Sequence, residues 1–172
     1  MLTYNNILVP TDFSPNATVA VSQAVALARE SKGCVHLFHV VEMALFGPAY
    51  IPQGGFVYPR DKTEIYERLD AIKAQYPDVT FETKAVIGSP AEEIVAYAES
   101  HDIDLICIST TGRRGLSRAL LGSTTEAVVR RARCPVLSMH GARAHVEEAA
   151  SGEQPASVER EAEARAEPRT GD

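Results

Sequence analysis

The chemistry this sequence offers is concentrated between Leu105 and Pro135 (LICISTTGRRGLSRALLGSTTEAVVRRARCP). An apolar strand signal runs into a loop carrying Gly112, Gly115 and Gly122, and the chain then enters a helix at Gly122-Ser123-Thr124. Glycines in such a loop can adopt positive φ and leave room for a ligand against bare backbone. The amides of Ser123 to Glu126 stand at the positive end of a helix dipole with no partner inside the helix, an arrangement suited to phosphate. Ser123 and Thr124 add hydroxyl donors, and Arg113, Arg114 and Arg118 bring positive charge. The same Ser123-x-x-Glu126 spacing equally fits an ordinary capping box, with Gly122 serving only the turn before it. Neither G-x-x-x-x-G-K-[ST] nor a G-x-G-x-x-G opening a helix directly after a strand is present, which argues against a P-loop NTPase and a dinucleotide-binding dehydrogenase.

No catalytic set emerges from the remaining reactive residues. His36, His39, His101, His140 and His145 are scattered, His36 and His39 face opposite sides of one strand, and none shows metal-ligand spacing with a cysteine or carboxylate. Cys34, Cys107 and Cys134 lie far apart in or beside apolar strands and read as reduced core residues, with no disulfide framework and no zinc site. Ser123 lacks a G-x-S-x-G elbow, and no base is placed near it by sequence.

The elements that must position this loop alternate in type. Ile7 to Pro10 is a short apolar strand. Ser14-Pro15 then gives an N-cap and a first-turn proline to a helix running to about Lys32, with Gly33 where a C-terminal glycine belongs. Its stripe of Ala17, Val21, Ala24, Val25 and Ala28 recurs at three- and four-residue steps. Val35 to Val41 is a second strand, apolar enough for burial on both faces of a parallel sheet. Residues 43–61, rich in proline, glycine and aromatics, read as a long loop that serves as a lid, a subunit contact or plain surface. Lys62 to Gln75 has helical spacing, and Val79 to Ile87 is a more polar strand expected near a sheet edge. Ser89-Pro90-x-Glu92 opens a third helix with a capping box, ending near His101. Leu105 to Ile108, Gly122 to Arg133 and Val136 to Met139 complete the pattern as strand, helix and strand. The order predicts an α/β fold, a doubly wound five-stranded parallel sheet of order 3-2-1-4-5 with right-handed crossovers.

Among 172 residues, 45% are hydrophobic, enough for one substantial core. A domain over 1–144 and a disordered acidic tail over 145–172 fit best, since the tail is almost free of large apolar residues. The net charge of −6 argues against nucleic acid and anionic membranes as partners. Residues 1–6 lack the basic and apolar regions of a secretion signal, and no apolar run approaches the roughly 20 residues that cross a bilayer. The expectation is a soluble, cytoplasmic protein.

In an open α/β sheet, ligands sit beyond the carboxyl ends of the strands where the winding reverses. With order 3-2-1-4-5, that point lies between strands one and four. Pro10-Thr11-Asp12 is therefore expected beside the end of strand four (Ile108, Ser109) and the loop through Gly112, Arg113 and Gly115, with Val40 in an adjacent apolar wall. Asp12 would hold a ribose hydroxyl or a phosphate-bound metal, unless it is a carboxylate that only favours the following helix terminus.

At this point the chain resembles the universal stress proteins of the UspA superfamily from Ile7 to His140. The resemblance rests on ILVPTDFS at 7–14, HVV at 39–41, VIGSPAEEIV at 86–95 and GRRGLSRALLGSTTEAVVRRARCPVL at 112–137. The ATP-binding members carry Gly-x2-Gly-x9-Gly-[Ser/Thr]. Gly112-x9-Gly122-Ser123 matches its later part, and the first glycine falls on Ser109, which disfavours positive φ where the family's ATP binders approach the ligand. Thr111 also replaces a histidine common in the family. The resemblance implies that the Asp12 position meets ribose or metal, Val40 the adenine, and the 109–112 loop with Gly122, Ser123 and Thr124 the phosphates. It further implies a homodimer made by the last strand, Val136, Leu137, Ser138 and Met139.

The leading expectation is a non-enzymatic stress-response regulator that binds ATP, with magnesium, and presents different surfaces to a protein partner when filled and empty. The alternative is a dimer of the same fold that binds no nucleotide because Ser109 closes the site, and that acts through protein contacts. A slow ATP hydrolase is a third class.

Overall fold

Strand β1 (Asn6–Pro10) is apolar on both faces because it is the middle strand of a covered parallel sheet, and Ile7, Leu8 and Val9 are wholly buried. The structure, a computed structural model, describes residues 3–42, 62–110 and 121–140. The remaining elements are α1 (Pro15–Ser31), β2 (Cys34–Glu42), α2 (Thr63–Lys73), β3 (Thr80–Gly88), α3 (Pro90–Ser100), β4 (Leu105–Ser109), α4 (Ser123–Arg131) and β5 (Val136–Met139). The order across the sheet is β3-β2-β1-β4-β5, and every pairing is parallel. The predicted α/β fold and strand order are both present, with β3 and β5 as the edges. The expectations placed on residues 43–61, on Gly112, Arg113 and Gly115, and on the tail at 145–172 lie outside the described residues.

Two apolar layers hold the helices to the sheet. Ile7, Val9, Val35, Leu37, Phe81 and Cys107 meet α1, with Leu69 of α2, on one face. Leu8, Phe38, Ile106 and Ile108 meet Ile94 and Tyr97 of α3 and Val128 of α4 on the other. Ala17, Ala20, Ala24 and Ala28 make the buried stripe of α1 small enough for close approach to the strands. Each fully buried Leu or Ile contributes about 1.5–3 kcal/mol.

Helix α1 begins as predicted, with the Ser14 side chain accepting the Ala17 amide at 3.2 Å and Pro15 in the first turn. Its end differs. Lys32, not Gly33, takes the left-handed conformation (φ 57°), and the Gly33 amide donates to the Ala28 carbonyl at 3.0 Å. Gly33 is required for proximity instead, since a Cβ there would lie 2.5 Å from the Tyr4 carbonyl and 2.8 Å from that of Asn5. Ser89 and Pro90 start α3 as expected, yet Ser89 makes no side-chain cap, so the predicted capping box is not formed. No helix among the described residues is long and apolar enough to cross a membrane.

Candidate functional site

Because β1 pairs with both β2 and β4, the winding reverses beside it, and Pro10-Thr11-Asp12, at the end of β1, and Ser109-Thr110, at the end of β4, leave neighbouring parallel strands at the same end of the sheet. The turn that follows β1 is held by its own side chains. The Thr11 amide donates to the Phe38 carbonyl at 2.8 Å, Thr11 Oγ1 accepts the Phe13 amide at 3.0 Å, and Asp12 Oδ1 accepts the Ser14 amide at 2.9 Å. Phe13 is thereby held at φ 61°, a conformation unfavourable for an aromatic residue. Its ring packs 4.6 Å from that of His39, and the Arg68 guanidinium stands 4.0 Å above it. His39 Nδ1 donates to the Thr11 carbonyl at 2.8 Å. Thr11 and Phe13 also line a cavity of about 250 Å³ with Val21, Arg68 and Tyr76. That cavity touches Thr11 of the predicted site and no residue of β4 or α4.

The end of β4 and the start of α4 are tied together by backbone. The Gly122 amide donates to the Thr110 carbonyl at 2.8 Å, and the Thr125 hydroxyl donates to the Ser109 carbonyl at 2.8 Å. Thr110 is buried, takes its place beside β5 by donating its amide to the Met139 carbonyl at 2.8 Å, and holds His140 Nδ1 2.7 Å from its hydroxyl. Thr110 and Gly122 are therefore held together at one anchored point.

Four sequence expectations change here. Gly122 has φ −59° and ψ 147°, so positive φ is not its reason. A Cβ at Gly122 would lie 2.9 Å from the Thr110 carbonyl oxygen, and the close approach it permits is to protein backbone. Ser123 is the first helical residue, with Gly122 at the N-cap and no side-chain cap, so the Ser123-x-x-Glu126 capping box is not made. The Glu126 carboxylate pairs with Arg130, and the Glu126 amide donates to the Gly122 carbonyl at 2.9 Å, which removes it from the predicted phosphate donors. The first-turn amides left without an intrahelical acceptor are those of Ser123, Thr124 and Thr125. Ser109 ends β4 in extended conformation and is absent from the residues of positive φ, so its side chain imposes no backbone penalty there.

The other predicted positions fall at the same end of the sheet. Ile108 is buried on the α3/α4 face, Pro10 is half-buried, and Val40 packs against the α3/α4 layer while pairing with Val86. Sequence reasoning missed Thr110, Thr125, His39, Phe13 and Arg68. Thr125 donates its hydroxyl to the Ser109 carbonyl sixteen residues away, and the Thr110 hydroxyl meets the His140 ring thirty residues away, contacts that no local pattern announces.

A second cluster lies at the amino end of β2, away from this site. Cys34 and His36 share one face of β2, and Glu82 pairs directly with His36 from β3. One donor atom from each lies within 4.8 Å of the others. No histidine shows metal-ligand spacing in the sequence, but the sheet register brings His36 together with Cys34 and Glu82. Sequence spacing shows Cys34-x-His36, but Glu82 arrives only through the β2–β3 register. Cys107, by contrast, is the core residue expected: it is wholly buried, and burial pushes its thiol up to about 12.

The Universal stress protein family model matches residues 3–140. Universal stress protein MJ0531 of Methanocaldococcus jannaschii is 37% identical over 139 residues, covering 78% of this chain and 81% of that protein. Universal stress protein MJ0577 of the same organism is 32% identical over 151 residues, covering 78% of this chain and 93% of that one. Its solved structure superposes with a TM-score of 0.71 at 30% identity, over 81% of this chain and 97% of the other. A universal stress protein crystallised in complex with cAMP shares the fold, with a TM-score of 0.62 at 22% identity over 82% of this chain and all (100%) of the other. With sheet order, switch-point residues and family match in agreement, the chain belongs to the universal stress protein family.

Proposed function

We propose that this protein binds an adenine nucleotide, ATP with magnesium in the first place, beyond the carboxyl ends of β1 and β4, and works as a nucleotide-dependent regulatory homodimer. The observation that carries the reading is the tie between Gly122 and Thr110, which brings the first turn of α4 to the end of β4, the strand next to the one that leads into Asp12. In type, these residues fit a triphosphate: the amides of Ser123, Thr124 and Thr125, the hydroxyls of Ser123 and Thr124, and a carboxylate at Asp12 for a magnesium ion or a ribose hydroxyl. Magnesium would neutralise phosphate charge, while Val40 would border the adenine. The role in this reading is binding rather than turnover. The dimer would form along β5, an edge strand on which Leu137 is 39% exposed.

A second reading, a dimer that binds no nucleotide and works through protein contacts, is favoured by Ser109 where the family's ATP binders carry glycine. Exposed Leu121, Val129 and Leu137 give it an apolar surface. Calorimetric titration of nucleotide-stripped protein with ATP and magnesium separates the two. Saturable binding near micromolar, about −8 kcal/mol, supports the first reading. No binding by wild type together with binding by Ser109→Gly supports the second.

A further inference from the structure

From the Cys34, His36 and Glu82 cluster we infer that the amino end of β2 is a binding site for a zinc-class divalent ion, separate from the nucleotide site. Cys34 and His36 are two residues apart, so their side chains emerge on the same face of the strand, and the parallel register sets Glu82 directly beside His36. Sulfur, nitrogen and oxygen donors within 4.8 Å of one another form a mixed set that suits zinc or cobalt better than magnesium or calcium. Metal–donor bonds of about 2.0–2.3 Å put the donors of a tetrahedral ion within about 4 Å of each other. Closing the cluster to that size needs movement of about 1 Å. Glu82, with a side chain 62% exposed, can supply it.

His36 is the buried member of the cluster. Its side chain is 6% exposed, and Nδ1 lies 3.1 Å from the Tyr97 hydroxyl and 3.5 Å from Glu82 Oε2, while buried Nε2 has no hydrogen-bond partner. An orphaned buried ring nitrogen is costly in a core histidine. Tyr97 of α3 borders the site, with its hydroxyl 3.1 Å from His36 Nδ1 and its ring stacked on His101 at a centroid distance of 3.8 Å. Three protein donors leave the fourth position to water.

The test is titration of the full-length reduced protein with Co²⁺, followed by displacement with Zn²⁺. One Co²⁺ per chain with a thiolate-to-cobalt charge-transfer band, lost on adding Zn²⁺, is expected. Cys34→Ser should abolish the band, Cys134→Ser should retain it, and Glu82→Gln should weaken binding by at least tenfold, the minimum effect of losing even an outer partner. Circular dichroism of each variant shows that the fold is kept, and Glu82→Gln, at an exposed position, guards against misfolding of Cys34→Ser. Absence of the band in wild type, its survival in Cys34→Ser, or unchanged affinity in Glu82→Gln would each overturn the site.

Discussion

The Gly122 amide donates to the Thr110 carbonyl at 2.8 Å, and that same oxygen would stand 2.9 Å from any Cβ added at Gly122. One contact thus explains both the start of α4 and the residue found there. Gly122→Ala must displace the Thr110 backbone, at a cost of about 1–3 kcal/mol. Urea denaturation should show this loss without any ligand present. Unchanged stability would mean that the approach is looser than the structure has it.

Asp12 Oδ1 accepts the Ser14 amide, a service that an amide oxygen can also give. Asp12→Asn retains an acceptor for the Ser14 amide, whereas Asp12→Ala removes it and should cost about 0.5–1.5 kcal/mol. Asn should therefore melt near wild type yet lose the magnesium dependence of ATP binding. Equal melting of Ala and wild type would remove the turn role, and intact magnesium dependence in Asn would remove the metal role.

Much of this was legible in the sequence, and the failures share a physical cause. The parallel sheet followed from the alternation of strands and helices and from the apolar run Val35 to Val41, and the start of α1 followed from Ser14-Pro15. The turn glycines were placed correctly and explained wrongly: Gly33 and Gly122 are there because carbonyls of Tyr4, Asn5 and Thr110 approach them, and sequence does not show which backbone will pass nearby. Left-handed Lys32 and Phe13 were invisible for the same reason, since tertiary contacts override local preference. Thr125 and Glu82 are polar residues of ordinary appearance whose partners arrive through sheet register.

Leu137 lies on the edge strand β5 with its side chain exposed. If β5 makes the homodimer, Leu137→Glu places like charges across the symmetric interface and should convert dimer to monomer in light scattering after size exclusion. A dimer that survives this change would direct attention to another surface.

Cys107 is wholly buried and its thiol is pushed up to about 12, so at pH 8 it should resist alkylation in the native state. Mass spectrometry of timed labelling should show Cys107 modified last and at the rate of global unfolding. Rapid native labelling would contradict the packing of β4.

The most direct test of the account is ATP affinity in wild type and Ser123→Glu. Ser123 is exposed at the first position of α4, where a carboxylate favours the helix by about 0.3–1 kcal/mol and opposes a phosphate. The account predicts micromolar binding by wild type, binding at least tenfold weaker in the variant, and thermal stability equal or higher. Equal affinity in the two proteins, or no binding by wild type, would contradict phosphate recognition at this helix.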